Sequence, residues 1–177
     1  IDLSEGSNNF GGAVSITGQN VTLVDANAID LGASTVTGNY AVTATAGGGI
    51  TDSGILNVTG TSTFTAAGGQ SILLDKSSTF TSAVTFASGG TLAGVSITDT
   101  TDFVLKALTL SGNLVVASGG SITQSGALDI EGTTTLVTLA DNGTIDLATN
   151  GSGNAFTREL LITTNDNDSP TDGTYAA

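Results

Sequence analysis

The chain repeats itself, and this limits its possible folds more than any other feature. The stretch "GGITDSGILNVTG", Gly48 to Gly60, returns as "GGSITQSGALDIEG", Gly119 to Gly132. Self-similarity at a fixed period is the mark of a solenoid, in which each unit buries its apolar face against the next. Glycines that close an alternating apolar pattern give the shorter period: "VSITG" ends at Gly18, "STVTG" at Gly38, "LNVTG" at Gly60, "LTLSG" at Gly112 and "LDIEG" at Gly132. One turn of structure should therefore take roughly 20–28 residues. A longer period lies over this one. "FGGAV" at Phe10–Val14 returns as "FTSAV" at Phe80–Val84, Gly38-Asn39 as Gly112-Asn113, and Ile50-Thr51 as Ile122-Thr123. These matches predict blocks of three coils, about 70–75 residues each.

Each turn has its own grammar. Leu56-x-Val58, Leu108-x-Leu110 and Leu128-x-Ile130 alternate with polar residues, so period 2 sends the apolar side chains to one face. Four residues past the closing Gly stands Val42, Phe64, Val116 or Leu136. A corner of small residues follows ("AGGG", "AAGGQ" or "ASGG"), where glycine permits positive φ. An isoleucine then opens another strand: Ile29, Ile50, Ile72, Ile122, Ile145. The triplet Ile-Asp-Leu begins at Ile1, Ile29 and Ile145, and Ile-Leu-Leu at Ile72. Three short strands per turn describe an all-β parallel β-helix of about seven to eight coils, right-handed by the usual chirality of parallel crossovers. It should cover residues 1–164, with 165–177 an acidic tail or linker, or part of a capping or next segment. A β-sandwich would not produce matching columns, leucine-rich repeats need a helical return, and the calcium-binding nonapeptide is missing.

Composition agrees with a thin core. Only 5% of residues are aromatic, and Met, Trp, Cys and His are absent. The net charge of −13 leaves Lys76, Lys106 and Arg158 as the cations. That balance argues against nucleic acid and anionic membrane surfaces as partners. It also keeps repetitive β-surfaces apart in solution. No apolar run is long enough to insert in a membrane as a helix. The opening "IDLSEG" reads as mid-domain, as in a piece of something longer.

The run "FGGAVSITGQNVTLVDANAIDLGASTVTGNYAVTATAGGGITDSGILNVTGTSTFTAAGGQSILL" resembles the repeats of filamentous-haemagglutinin-like bacterial adhesins, many of them exported by two-partner secretion. The likeness extends over most of residues 1–160 and rests on degenerate Gly/Thr-rich motifs. It implies a right-handed β-helix serving as a long stalk or adhesive fibre at the cell surface. The Asn-Pro motifs of that family's secretion domain are missing here, and Pro170 is the only proline.

Candidate chemistry is sparse. Asp129 and Glu131 share an outward strand face and could form a hydrolase-type carboxylate pair, but alternation alone yields such a solvated surface. Without His or Cys, most nucleophile–base arrangements are ruled out, so no catalytic residue is expected and the chain does not read as an enzyme. "NDNDSPTD", Asn165 to Asp172, gathers oxygen donors, making Asp166, Asp168 and Asp172 candidate Ca²⁺ ligands. The run lacks EF-hand spacing and reads equally as a flexible acidic linker; no other cofactor is implied. Asp25 and Asp52 sit near turns and should make local turn hydrogen bonds. Thr61/Thr63 and Thr133/Thr135 suggest an ice-binding array, broken on alternate turns. Sequons at Asn20, Asn57, Asn142, Asn150 and Asn167 match chance in so Asn/Ser/Thr-rich a chain.

The expected role is a structural or adhesive segment of a large extracellular or surface-exposed bacterial protein. Its expected partners are neighbouring segments of that protein, end-to-end copies of itself, or surface glycans and proteins. The alternative is a self-assembling extracellular filament subunit; an ice-binding or carbohydrate-active β-helix ranks below both.

Overall fold

A computed structural model describes residues 1–148 and 153–165. The chain is an all-β solenoid of about 7 turns, with about 22 residues per turn and every strand pairing parallel. It opens with β1 (Asp2–Leu3) and β2 (Thr17–Gly18). The next coils run through β3 (Val21–Asp25), β4 (Ile29–Leu31), β5 (Ser34–Val36), β6 (Tyr40–Ala44), β7 (Ile50–Asp52), β8 (Leu56–Val58) and β9 (Ser62–Ala66). β10 (Ser71–Phe80) bends through a bulge between Leu74 and Ser78 and serves two sides of the rod. Then come β11 (Val84–Ser88), β12 (Gly94–Asp99), β13 (Phe103–Leu105), β14 (Leu108–Leu110), β15 (Leu114–Ser118), β16 (Ile122–Gln124) and β17 (Leu128–Ile130). The last coils hold β18 (Thr134–Asp141), β19 (Ile145–Asp146), β20 (Ala155–Phe156) and β21 (Leu160–Asn165).

The expected columns form. Ile29 stacks on Ile50 and Ile50 on Ile72, while Val42 stacks on Phe64 and Phe64 on Phe86. Farther along, Leu108 lies over Leu128 and Val116 over Leu136. Alternation along each strand buries these residues and turns their neighbours outward, as in Leu56-Asn57-Val58. The scarce aromatics concentrate in one stretch of the interior. Phe64 meets Tyr40 and Phe80 edge to face at 6.0 Å each, and Phe86 stacks on it at 6.3 Å. Such contacts add to what area burial alone supplies.

The closing glycines have a reason other than φ. A Cβ on Gly60 would collide with the backbone of Gly38, and one on Gly132 with that of Gly112. Asn39 and Asn113 sit beside these stacks. Asn20 Oδ1 accepts the N–H of Asn39 at 2.9 Å, Asn39 Oδ1 that of Thr61 at 3.1 Å, and Asn113 Oδ1 that of Thr133 at 2.9 Å. The positive φ expected at the small-residue corners occurs at Gly47 (59°) and Gly69 (77°), and at Asn142 (57°) in a turn. The "ASGG" corner at Gly119 differs: there the backbone of Thr100 leaves no room for a side chain.

One ladder runs nearly the whole length. β4, β7, β10, β12, β15, β18 and β21 pair in succession. The sheet β1-β3-β6-β9-β11 stops at β11, and the sheets β13-β16-β19 and β14-β17-β20 begin beyond it. The long sequence repeat explains this break. Val95 lies 74 positions beyond Val21, and three coils of about 22 residues fall short of that by one strand and its corner. The second block therefore starts one side further round the rod. β15, the sequence equivalent of β6, stacks on β12 and not on the β6 column. For the same reason the Ile-Asp-Leu triplets divide. Ile29 opens β4, whereas Ile1 and Ile145 belong with Ile72 as block ends, carried on three different sides.

Candidate functional surface

Asp129 and Glu131, the carboxylate pair read from the sequence, are both exposed. Asp129 stands outward in β17, opposite Thr109 and Ala155. No cluster of three or more His, Cys, Asp or Glu that could hold a metal ion occurs among the described residues. Asp166, Asp168 and Asp172 lie outside those residues, as do Asn150 and Asn167. Thr63 stands on the β9 side, paired with Ala41 and Thr85, while Thr135 stands on the β18 side, paired with Val115 and Leu161. The two Thr pairs thus face different directions, and Thr61 already gives its hydroxyl to Asn39 Oδ1 at 3.0 Å.

Asp25 makes the local bond expected of it, accepting the N–H of Asn27 at 2.7 Å. It also accepts the N–H of Phe10 at 2.8 Å, from the preceding coil. Asp52 corrects the expectation. Its partners are the N–H groups of Asp75 at 2.9 Å and Lys76 at 3.2 Å, on the following coil. Burial pushes the Asp52 carboxyl above the usual carboxylate range, against the pull of these two bonds.

Asp99 is the equivalent of Asp25 in the second repeat, without a local sequence signal of its own. It is buried, and its Oδ1 accepts the N–H groups of Phe80 (3.2 Å) and Thr101 (3.0 Å) and the Thr101 hydroxyl (3.0 Å). Its Oδ2 is buried with no hydrogen-bond partner among the described residues. Burial pushes this carboxyl up as well. Asp99 lies between Ser78 and Ser118 in a buried polar file. Ser118 Oγ donates to Thr101 O at 2.6 Å and accepts from Gly120 N at 3.1 Å. These side chains tie strand ends to corners, and no proton-transfer geometry arises from them.

The two blocks match strand for strand. "VTLVD" of β3 corresponds to "VSITD" within β12, and the Phe10–Asp25 bond to the Phe80–Asp99 bond. A family model described as repeats of unknown function (DUF5649) matches residues 18–87 and again 92–163. The chain belongs to the DUF5649 repeats. No curated protein and no solved structure matches it.

Each DUF5649 repeat carries a lateral strip whose own side chains are uncharged. In the first, Thr22, Ala41, Thr63 and Thr85 form one file, and Val24, Thr43, Thr65 and Ala87 the next. In the second, Ser96, Val115, Thr135 and Leu161 run beside Thr98, Ala117, Val137 and Thr163. Period-2 alternation signalled these files in the sequence, but only the stacking brings them into one strip. One charged side chain reaches each strip: Lys106 Nζ donates to Thr85 Oγ1 at 2.9 Å, and Asp75 Oδ1 accepts from Ser96 Oγ at 2.5 Å. The second strip holds an open depression of about 440 Å³ beside Leu73, Ser96, Asn113 and Val115. Such a surface offers hydroxyls and flat apolar contact.

Proposed function

We propose that the chain is a structural and adhesive segment of a large surface-exposed or secreted bacterial protein, acting as a stiff rod in cell attachment. The observation that carries this reading is the ladder from β4 to β21, which passes through both repeats. A solenoid built this way holds its two ends apart and presents a long lateral face. The strips of uncharged side chains are where that face would meet a glycan or protein surface, with Lys106 and Asp75 as the charged groups at hand. The likeness to filamentous-haemagglutinin-type repeats supports the extracellular placement and the adhesive role. No enzymatic step, cofactor or metal forms part of the proposal.

Beads coated with the intact chain should attach to glycan- or protein-coated surfaces more than bare beads do. Thr63→Lys together with Thr135→Lys should lower attachment without lowering the melting temperature. Attachment equal to that of bare beads would overturn the adhesive role.

A further inference from the structure

The two repeats part company at one place on their outer surface. In the first, asparagines close the edge of the strip. Asn20 Oδ1 accepts the N–H of Asn39 at 2.9 Å, and Asn39 Oδ1 accepts the N–H and the hydroxyl of Thr61 at 3.1 and 3.0 Å. In the second, Asn113 Oδ1 still accepts the N–H of Thr133 at 2.9 Å. The backbone matches as well: Val95 N donates to Asn113 O at 3.0 Å, as Val21 N donates to Asn39 O at 2.9 Å. The place of Asn20, however, is taken by Gly94, just before Val95. The Asn113 N–H is therefore left without an acceptor among the described residues.

The missing side chain leaves room. A Cβ on Gly94 would lie 3.1 Å from Asn113 O, 3.5 Å from Ser71 Oγ and 3.7 Å from Asn113 N. Gly94 lines the open depression of about 440 Å³, together with Ser71, Leu73, Ser96, Asn113 and Val115. Leu73 and Val115 are 39% and 36% exposed and give it apolar walls. Ser96 Oγ donates to Asp75 Oδ1 at 2.5 Å, which brings a carboxylate to the rim. Ser71 Oγ has no partner among the described residues. The first repeat shows what fits such a place: the carbonyl oxygen of an amide, held on a backbone N–H. Size narrows the choice of occupant. Small-ligand sites run to about 300–1,000 Å³. Nine residues line the depression, whereas a stable protein interface takes about 20–30 a side.

We infer that this depression binds the acetamido group of an N-acetylated sugar. The carbonyl oxygen takes the Asn113 N–H, where the Asn20 amide would stand in the first repeat. The methyl packs on Leu73 and Val115, and ring hydroxyls turn to Ser71, Ser96 and Asp75, which both donate and accept as such groups require. The inference rests on the adhesive reading and gives it a chemical specificity. The second repeat holds an open acetamido site; in the first, Asn20 closes it.

The test titrates the intact, nitrogen-labelled chain with the trimer of N-acetylglucosamine and, separately, with the matching glucose trimer. The Asn113 amide resonance should shift saturably with the first and stay in place with the second. Gly94→Asn restores the arrangement of the first repeat, so it should abolish the shift and keep the melting temperature. Ser71→Ala should weaken binding about fivefold, the worth of one hydrogen bond. No shift at Asn113, or equal shifts with both trimers, overturns the inference. Undiminished binding by Gly94→Asn does the same, and should that variant fail to fold, unchanged affinity in Ser71→Ala decides against the site. Beads separate this result from the broader reading. Attachment to surfaces coated with the N-acetylated sugar, unchanged by Gly94→Asn, sinks the site and leaves the adhesive rod standing. Attachment confined to protein-coated surfaces and lost in Gly94→Asn overturns the sugar in favour of a partner protein's amide side chain.

Discussion

Single atoms separate residues that the sequence makes look alike. Asp25 and Asp99 occupy the same place in the two repeats, but both oxygens of Asp25 are bonded while Oδ2 of Asp99 is not. Asp25→Asn turns an amide donor towards a backbone donor and should cost about 2 kcal/mol. Asp99→Asn keeps the oxygen that accepts three bonds and removes a buried charge, so it should cost at least about 1 kcal/mol less in urea melts at neutral pH. The pH dependence has a definite sign. The folded Asp99 carboxyl binds its proton more tightly than the unfolded one, whose ordinary value is 3.8. Its contribution is therefore best below that value and declines as pH rises through the raised folded value. Asp99→Asn should flatten that decline; an unchanged slope would assign it to other groups. Ser62 and Thr134 form another matched pair, each a buried hydroxyl without a partner among the described residues. Thr134→Val keeps the shape and removes the orphan, so it should stabilise the chain by about 1 kcal/mol. Beyond the Asp25–Asn27 turn bond, none of this was legible in the sequence, because whether a buried oxygen finds a donor depends on the coil above it.

At the scale of the strand and its corner, most of the fold was legible. Gly38, Gly60, Gly112 and Gly132 marked the period because the stacked corners there have no room for a Cβ. Gly60→Ala or Gly132→Ala should destabilise by about 3 kcal/mol, since backbone must move to relieve the clash. Gly6→Ala and Gly11→Ala, with nothing within 4 Å of the added Cβ, should leave the melting midpoint unchanged. Equal effects at all four positions would mean that the corners do not touch. The sequence erred where local grammar was asked to report on neighbouring coils. Asp52 bonds forward to Asp75 and Lys76, and Thr63 and Thr135 share a pattern but not a face. The lateral strips have no distinct sequence signal because Thr, Val and Ala in alternation are also what strand propensity alone selects.

Charge acts on the whole molecule. With net −13, two rods approaching end to end repel. The same repulsion acts within one chain, so its melting temperature should rise as salt is raised from about 0.02 M to 0.3 M. Scattering from the monomer should fit an elongated particle at both concentrations; a compact sphere would not be compatible with stacked coils. The one-side advance of each repeat has a consequence for anything that grips such a rod from a fixed direction. Consecutive repeats present their neutral strips along different compass bearings, and the original bearing returns only after three repeats. At about 4.8 Å per coil, ten coils separate like from like, so identical footholds along one line would stand about 48 Å apart. A flat partner would meet an evenly spaced row of grips, and partners on other sides would find the same row in staggered step.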